Sequence, residues 1–154
     1  MRTELKYIKR DKCFVSKPLE GGHECCGGPL SVNITLLTEY IESNLSLFKI
    51  IDVDIKDFYR SIKDIDVNTF TPNPNPCIYA EISPTNYSLI DGSHRSSYAE
   101  LKGKKSIKCY KVPMEIIIMF FISDEVYSRF VQYWNSKVDE HFEDEEIRKK
   151  ILEL

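Results

Sequence analysis

Asp91-Gly92-Ser93-His94-Arg95-Ser96 gathers a carboxylate, a glycine, two hydroxyls, an imidazole and a guanidinium into six consecutive positions. The chemistry this set suits is the holding of phosphate oxygens. A helix that starts at about Ser93, with Ser93 or Asp91 as N-cap, leaves backbone N–H groups without intrahelical partners, and such an end attracts anions. Gly92 removes a Cβ that would block a ligand, and His94 and Arg95 add a titratable donor and a permanently charged fork. Cations at a helix N-terminus oppose its dipole, so their placement costs helix stability unless something else gains from it. The alternative reading is a solvated first turn in which Arg95 pairs with Asp91 or Glu100, and local chemistry alone leaves both open.

Flanking elements must position these groups. Tyr87-Ser88-Leu89-Ile90 reads as a strand ending in an Asp-Gly turn, and His94 to Lys102 as a helix stopped by Gly103, the residue that best tolerates a left-handed conformation. Cys77 to Ile82 is a preceding strand, turned by Ser83-Pro84-Thr85-Asn86 into a hairpin that delivers Asp91 to the end of a sheet. Asn68 to Pro76, in which Pro72, Pro74 and Pro76 alternate with asparagine, cannot be regular helix and reads as an extended loop.

The stretch Leu89 to Arg95, with Tyr98-Ala99-Glu100-Leu101-Lys102-Gly103 and then Ser106-Ile107-Lys108-Cys109-Tyr110, resembles the strand, D-G-x-H-R turn, helix and closing strand of the ParB/sulfiredoxin-like superfamily. The match covers about thirty residues of 154. It implies a nucleotide whose phosphates sit on the turn, with Gly92, Ser93, His94, Arg95 and Ser96 as phosphate-binding positions and Asp91 as the acidic position. The nucleotide expected is a nucleoside di- or triphosphate, ATP or CTP first, with Mg²⁺ as a companion. Asp91, His94 and Arg95 are then the catalytic candidates for phosphoryl transfer or hydrolysis: Arg95 and the Gly92 and Ser93 amides would stabilise phosphate charge, His94 would donate a hydrogen bond or act as acid, and Asp91 would orient the turn or help hold the metal. The acceptor would be a small molecule or a protein. A non-catalytic, nucleotide-responsive or nucleic-acid-associated module is the alternative. Sulfiredoxin carries its catalytic cysteine where this chain has Ser93, which argues against that reaction, and a ParB-like nuclease ranks third. The fifty or so residues after Gly103 do not fit the DNA reader and dimerisation tail of a complete partition protein.

Four of the six glycines, Gly21, Gly22, Gly27 and Gly28, bracket His23-Glu24-Cys25-Cys26, with Pro18 and Pro29 on either side. A loop over residues 19–29 is expected, either a plain surface connection or a lid bringing His23, Glu24 or Cys25 to the reacting end of a nucleotide. Cys13, His23 and adjacent Cys25 and Cys26 lack common zinc spacing, so no metal site is expected. Five cysteines without a secretory signal suggest reduced thiols, with Cys77 and Cys109 as small core residues of strands.

The rest reads as scaffold. Leu37, Tyr40, Ile41, Leu45 and Phe48 after a Thr35 cap, and Ile55, Phe58, Tyr59, Ile62 and Ile65 after Asp54, recur at near-helical spacing. Lys49 to Val53 is a strand or a connection. Ile107 to Val112 and Glu115 to Ile122 read as strands, with a buried helix as the alternative for the second. Ser123 can cap a final helix whose Tyr127, Phe130, Val131, Trp134 and Val138 pack on the sheet or form a homodimer face, and residues 139–154 continue as a solvated helix. With 154 residues and 42 % apolar content, the expectation is one α/β (α+β) domain over residues 1–154, a small mixed sheet flanked by helices, with a helical extension at 123–154. A net charge of −3 disfavours duplex DNA, although Lys102, Lys104, Lys105 and Lys108 could form a local patch for nucleic acid. The longest apolar run is far short of the roughly 20 residues that span a bilayer, and a cytoplasmic protein without a membrane partner is expected.

Overall fold

The computed structural model describes residues 6–8, 24–25, 31–57 and 64–152, and in it the Cys77-to-Asp91 hairpin forms half of a four-stranded mixed sheet. Two residues, Glu24–Cys25 (β1), pair antiparallel with Val32–Asn33 (β2). Helix α1 (Ile34–Ser43) comes at once, then strand β3 (Lys49–Asp54), the hairpin β4 (Cys77–Ser83) and β5 (Asn86–Asp91), helix α2 (Ser93–Leu101), strand β6 (Ser106–Val112), the short helix α3 (Met114–Ile117) and the long helix α4 (Asp124–Leu152). The sheet order is β3-β6-β4-β5, with β4 and β6 parallel and the outer pairs antiparallel. The parallel pair needs a crossover, and β5 with α2 supplies it.

Alternation along the strands divides the apolar residues between two faces. Ile78, Ala80, Ile90 and Val112 enter the main core with Leu37 and Ile41 of α1, Phe121, and Tyr127, Phe130, Trp134 and Val138 of α4. Cys77, Leu89, Cys109 and Val53 form a smaller cluster on the other face, joined by Ile51, Tyr79 and Ile107. Each large side chain so buried contributes about 1.5–3 kcal/mol, and Leu37, Phe121, Tyr127, Phe130 and Val138 are completely inaccessible. The stripe expected on the final helix is thus core. Ser123 caps it by accepting from the Val126 N–H at 3.2 Å, and the charged tail continues the same helix without a break. Residues 6–8 are clamped to it: Asn135 accepts from the Ile8 N–H at 2.9 Å and donates to the Ile8 carbonyl at 3.3 Å.

Several elements differ from the sequence expectation. The apolar run after Pro113 is helical, α3 followed by a 3₁₀ turn over Ile118–Phe120, rather than a strand. Its buried residues Met114, Ile117 and Phe121 recur every three or four positions, and buried Glu81 accepts from the Met114 N–H at 3.1 Å, which starts the helix. Helix α1 is capped by Asn33, whose Oδ1 accepts from the Leu36 N–H at 3.0 Å, not by Thr35. It stops at Ser43, where Asn44 turns back onto the Ile41 carbonyl, so Leu45 and Phe48 lie beyond it. Lys49–Asp54 is a strand. Where a second helix is expected after Asp54, Ile55–Asp57 forms a 3₁₀ turn whose first N–H, that of Ile55, goes to the Lys105 carbonyl at 2.8 Å. Residues 64–66 are not helical, and 58–63 lie outside the described residues.

No helix among the described residues is long and apolar enough to cross a membrane.

Candidate functional site

The hairpin ends where expected, and β5 passes through a one-residue turn directly into α2. Gly92 itself is the N-cap of α2, at φ 114° and ψ 22°, a left-handed conformation that side chains resist. Neither Asp91 nor Ser93 serves as cap: Ser93 is the first helical residue, and the Asp91 carboxylate turns instead to Arg95. The first intrahelical bond runs from the Ser96 N–H to the Gly92 carbonyl at 2.8 Å, placing the amides of Ser93, His94 and Arg95 ahead of the ladder. At the far end Gly103, at φ 79°, closes the helix as expected, with the Lys104 N–H on the Ala99 carbonyl at 3.0 Å.

Gly92 is required for a reason other than ligand approach. A Cβ there would lie 2.3 Å from Cys77 Sγ, so the turn is packed directly on the first residue of β4.

Arg95 is anchored on three sides. Its Nη2 donates to Asp91 Oδ2 at 2.7 Å, and its Nη1 donates to the carbonyls of Asn75 at 2.6 Å and Pro76 at 3.1 Å. The pair is i,i+4 along the chain and mostly covered, the side chains being 14 % and 25 % exposed. This is the ion pair that the sequence allowed as an alternative, and the loop over residues 68–76 supplies the two further acceptors. The guanidinium therefore staples loop, turn and helix together.

The remaining candidates separate. His94 is exposed and stacks on Phe70, with centroids 6.4 Å apart, while Phe70 also meets the Tyr98 ring at 5.3 Å. Ser93 is half-buried at the turn. Ser96 is fully buried, and its hydroxyl donates to the Ser93 carbonyl at 2.9 Å. Glu24 and Cys25 belong to β1, paired with β2 at the start of α1. His23 and the rest of the loop over residues 19–29 lie outside the described residues.

Beside the ion pair opens a small cleft of about 80 Å³ that the sequence did not reveal. Asp91 and Arg95 form one wall, Thr38, Ile41 and Glu42 of α1 another, and Ile78 and Tyr110 of the sheet line it with Asn73, Asn75 and Pro76 of the loop. Its lining mixes Ile41, Pro76, Ile78 and Tyr110 with six polar or charged residues, so it offers hydrogen-bonding groups beside apolar contact. The signal available beforehand was the asparagine and proline alternation of the loop, which marks backbone with unused carbonyls. Helix α1 carried no such signal.

Among the described residues no three His, Cys, Asp or Glu side chains gather as a metal would need. Comparison of the chain with protein-family models, with curated proteins and with solved structures gave no match.

Proposed function

We propose that this chain binds a nucleoside di- or triphosphate, with the phosphates on the amides of Ser93, His94 and Arg95 and the nucleoside in the cleft between α1 and the Asp91–Arg95 pair. The observation that supports this reading is the adjacency of the two features. A helix start whose cap has no side chain lies at the same turn as the wall of a cleft lined by polar and apolar groups. His94, exposed on the first turn, supplies a further donor to phosphate. Mg²⁺ would be held largely by the phosphate oxygens, since Asp91 gives one oxygen to Arg95. ATP and CTP are the first ligands to try.

Phosphoryl transfer or hydrolysis at this site is the catalytic form of the proposal, with His94 as acid and Arg95 facing the phosphates. One observation favours the non-catalytic form, a nucleotide-responsive binding module: the Arg95 fork is held in place by Asp91 and two carbonyls, so most of its donors serve the fold.

The test is a thermal-shift titration with ATP, ADP, CTP and GTP, each with and without Mg²⁺, alongside phosphate release. His94→Ala is the informative variant, because its side chain is exposed, whereas Arg95→Ala would also loosen the fold. Saturable stabilisation, about 2.7 kcal/mol at a hundredfold excess over the dissociation constant and weakened in His94→Ala, is the expected result. The absence of a shift with every nucleotide overturns the proposal, and binding without phosphate release selects the module.

A further inference from the structure

The smaller apolar cluster contains two cysteines that stand directly opposite each other. Cys77 opens β4, Cys109 lies in β6, and the parallel register of the two strands makes them partners. Paired residues of neighbouring strands present their side chains on one face, and strands lie about 4.7–4.9 Å apart, inside the Cα separation of about 4.4–6.8 Å that a disulfide spans. Both are free thiols, 2 % and 0 % exposed, packed with Val53 and Leu89. The Cys109 thiol donates weakly to the Ile107 carbonyl at 3.9 Å, and the Cys77 sulfur is covered by Gly92, a residue with no side chain.

We propose that Cys77 and Cys109 are a redox-modifiable pair that closes to an intramolecular disulfide when the folded protein meets hydrogen peroxide. Cys77 is the attacking thiol. The neighbouring Cys109 thiol and the nearby Arg95 charge favour its thiolate over the opposing effects of burial and of the Asp91 carboxylate, whereas the neighbouring Cys77 and burial hold Cys109 protonated. The Cys77 thiolate attacks one peroxide oxygen, the O–O bond breaks, and sulfenic acid forms with release of hydroxide, which takes up a proton as water. The Cys109 sulfur then attacks the Cys77 sulfur, the S–O bond breaks, and a second water leaves with the Cys109 proton. Two thiols are oxidised by two electrons and one peroxide is reduced to two waters. Peroxide is close to water in size, and Cys77 sits at a strand end beneath the Asp91–Gly92–Ser93 turn, so opening of that turn suffices for access. The pairing is independent of whether the turn holds a nucleotide.

The experiment treats the reduced, folded chain with hydrogen peroxide, alkylates remaining thiols under denaturing conditions, and digests with trypsin. The expected product is a peptide of residues 64–95 joined to residues 109–111, lighter by two hydrogens than the two reduced peptides and split by dithiothreitol. In a variant with Cys13, Cys25 and Cys26 changed to Ser, the titratable thiols should fall from two to zero while the protein stays monomeric on a non-reducing gel. Adding Cys109→Ser to that variant should stop oxidation at a dimedone-reactive Cys77. Recovery of both cysteines as alkylated peptides after peroxide overturns the proposal, and so does a disulfide found only between chains.

Discussion

Gly92 rests on Cys77 so closely that a β-carbon added to the glycine would sit 2.3 Å from the cysteine sulfur, and the glycine also holds a φ of 114°. Two costs therefore meet at one position. A left-handed side chain costs about 1–2 kcal/mol and overpacking about 1–3 kcal/mol, so Gly92→Ala is expected to lose about 2–5 kcal/mol in urea unfolding. Cys77→Ala removes the sulfur but not the backbone strain. In the Gly92→Ala background it should recover only the steric part, and the two substitutions should be non-additive. Strict additivity would show that Gly92 and Cys77 do not touch.

Arg95 and Asp91 form the second relationship on which the turn depends. Arg95→Ala strands the Asp91 carboxylate and leaves the Asn75 and Pro76 carbonyls without their donor, at an expected cost of about 2–4 kcal/mol. Arg95→Lys should restore less than half, because an ammonium cannot fork between a carboxylate and two carbonyls. The contrast is Lys108 with Asp52, 69 % and 65 % exposed at 3.4 Å, where Lys108→Ala should change stability by no more than about 0.5 kcal/mol. Equal effects at the two pairs in denaturant melts would remove the case for Arg95 as a staple.

Glu81 joins the hairpin to the helix after β6. Its Oε1 accepts from the Met114 N–H at 3.1 Å and its Oε2 from the Thr85 N–H at 3.2 Å, and Thr85 holds a φ of 62° at the hairpin turn. Glu81→Ala should cost about 2–3 kcal/mol by leaving two backbone donors unmatched. Glu81→Gln keeps one acceptor and should cost roughly half as much. Hydrogen exchange offers a local check, since both amides should lose protection in Glu81→Ala and only one in Glu81→Gln.

Legibility followed the range of the interactions. The hairpin, α2 and its Gly103 stop are set by residues a few positions apart, and their expected bounds hold within two residues. The long helix was readable because Tyr127, Phe130, Val131, Trp134 and Val138 repeat at its own period. The segment after Pro113 was not, since a run of nearly continuous apolar residues shows neither period and suits strand and helix equally, and the choice came from Glu81, over thirty positions earlier. The site divides in the same way. Asp91 and Arg95 were visible as an i,i+4 pair, but the Asn75 and Pro76 carbonyls that fix Arg95 and the α1 wall of the cleft depend on tertiary placement. Gly92 shows the same divide, because sequence shows a missing Cβ but not the Cys77 sulfur packed against that position.

Tyr87 is expected to make the fold less stable at alkaline pH. Its ring stacks on Tyr79 at 5.5 Å beneath the Lys111 ammonium at 4.8 Å, and burial, aided by the charges of Glu81, Glu115 and Tyr79, pushes its hydroxyl up to about 12. In the unfolded chain a tyrosine loses its proton near 10. Between those values the native state holds a proton that the unfolded chain has lost, so the native state binds more protons and stability must fall as pH rises through the window. Tyr79 is displaced in the same direction, by burial first and then by Asp57 and Cys109, and adds to the slope. Urea midpoints measured from about pH 9 to about pH 12 should therefore decline more steeply for the wild type than for Tyr87→Phe, which has no proton to lose there. Tyrosinate absorbance should show the group titrating last in the wild type and missing from Tyr87→Phe. Identical slopes for the two proteins would mean that the Tyr87 hydroxyl is as free to ionise in the fold as in the unfolded chain.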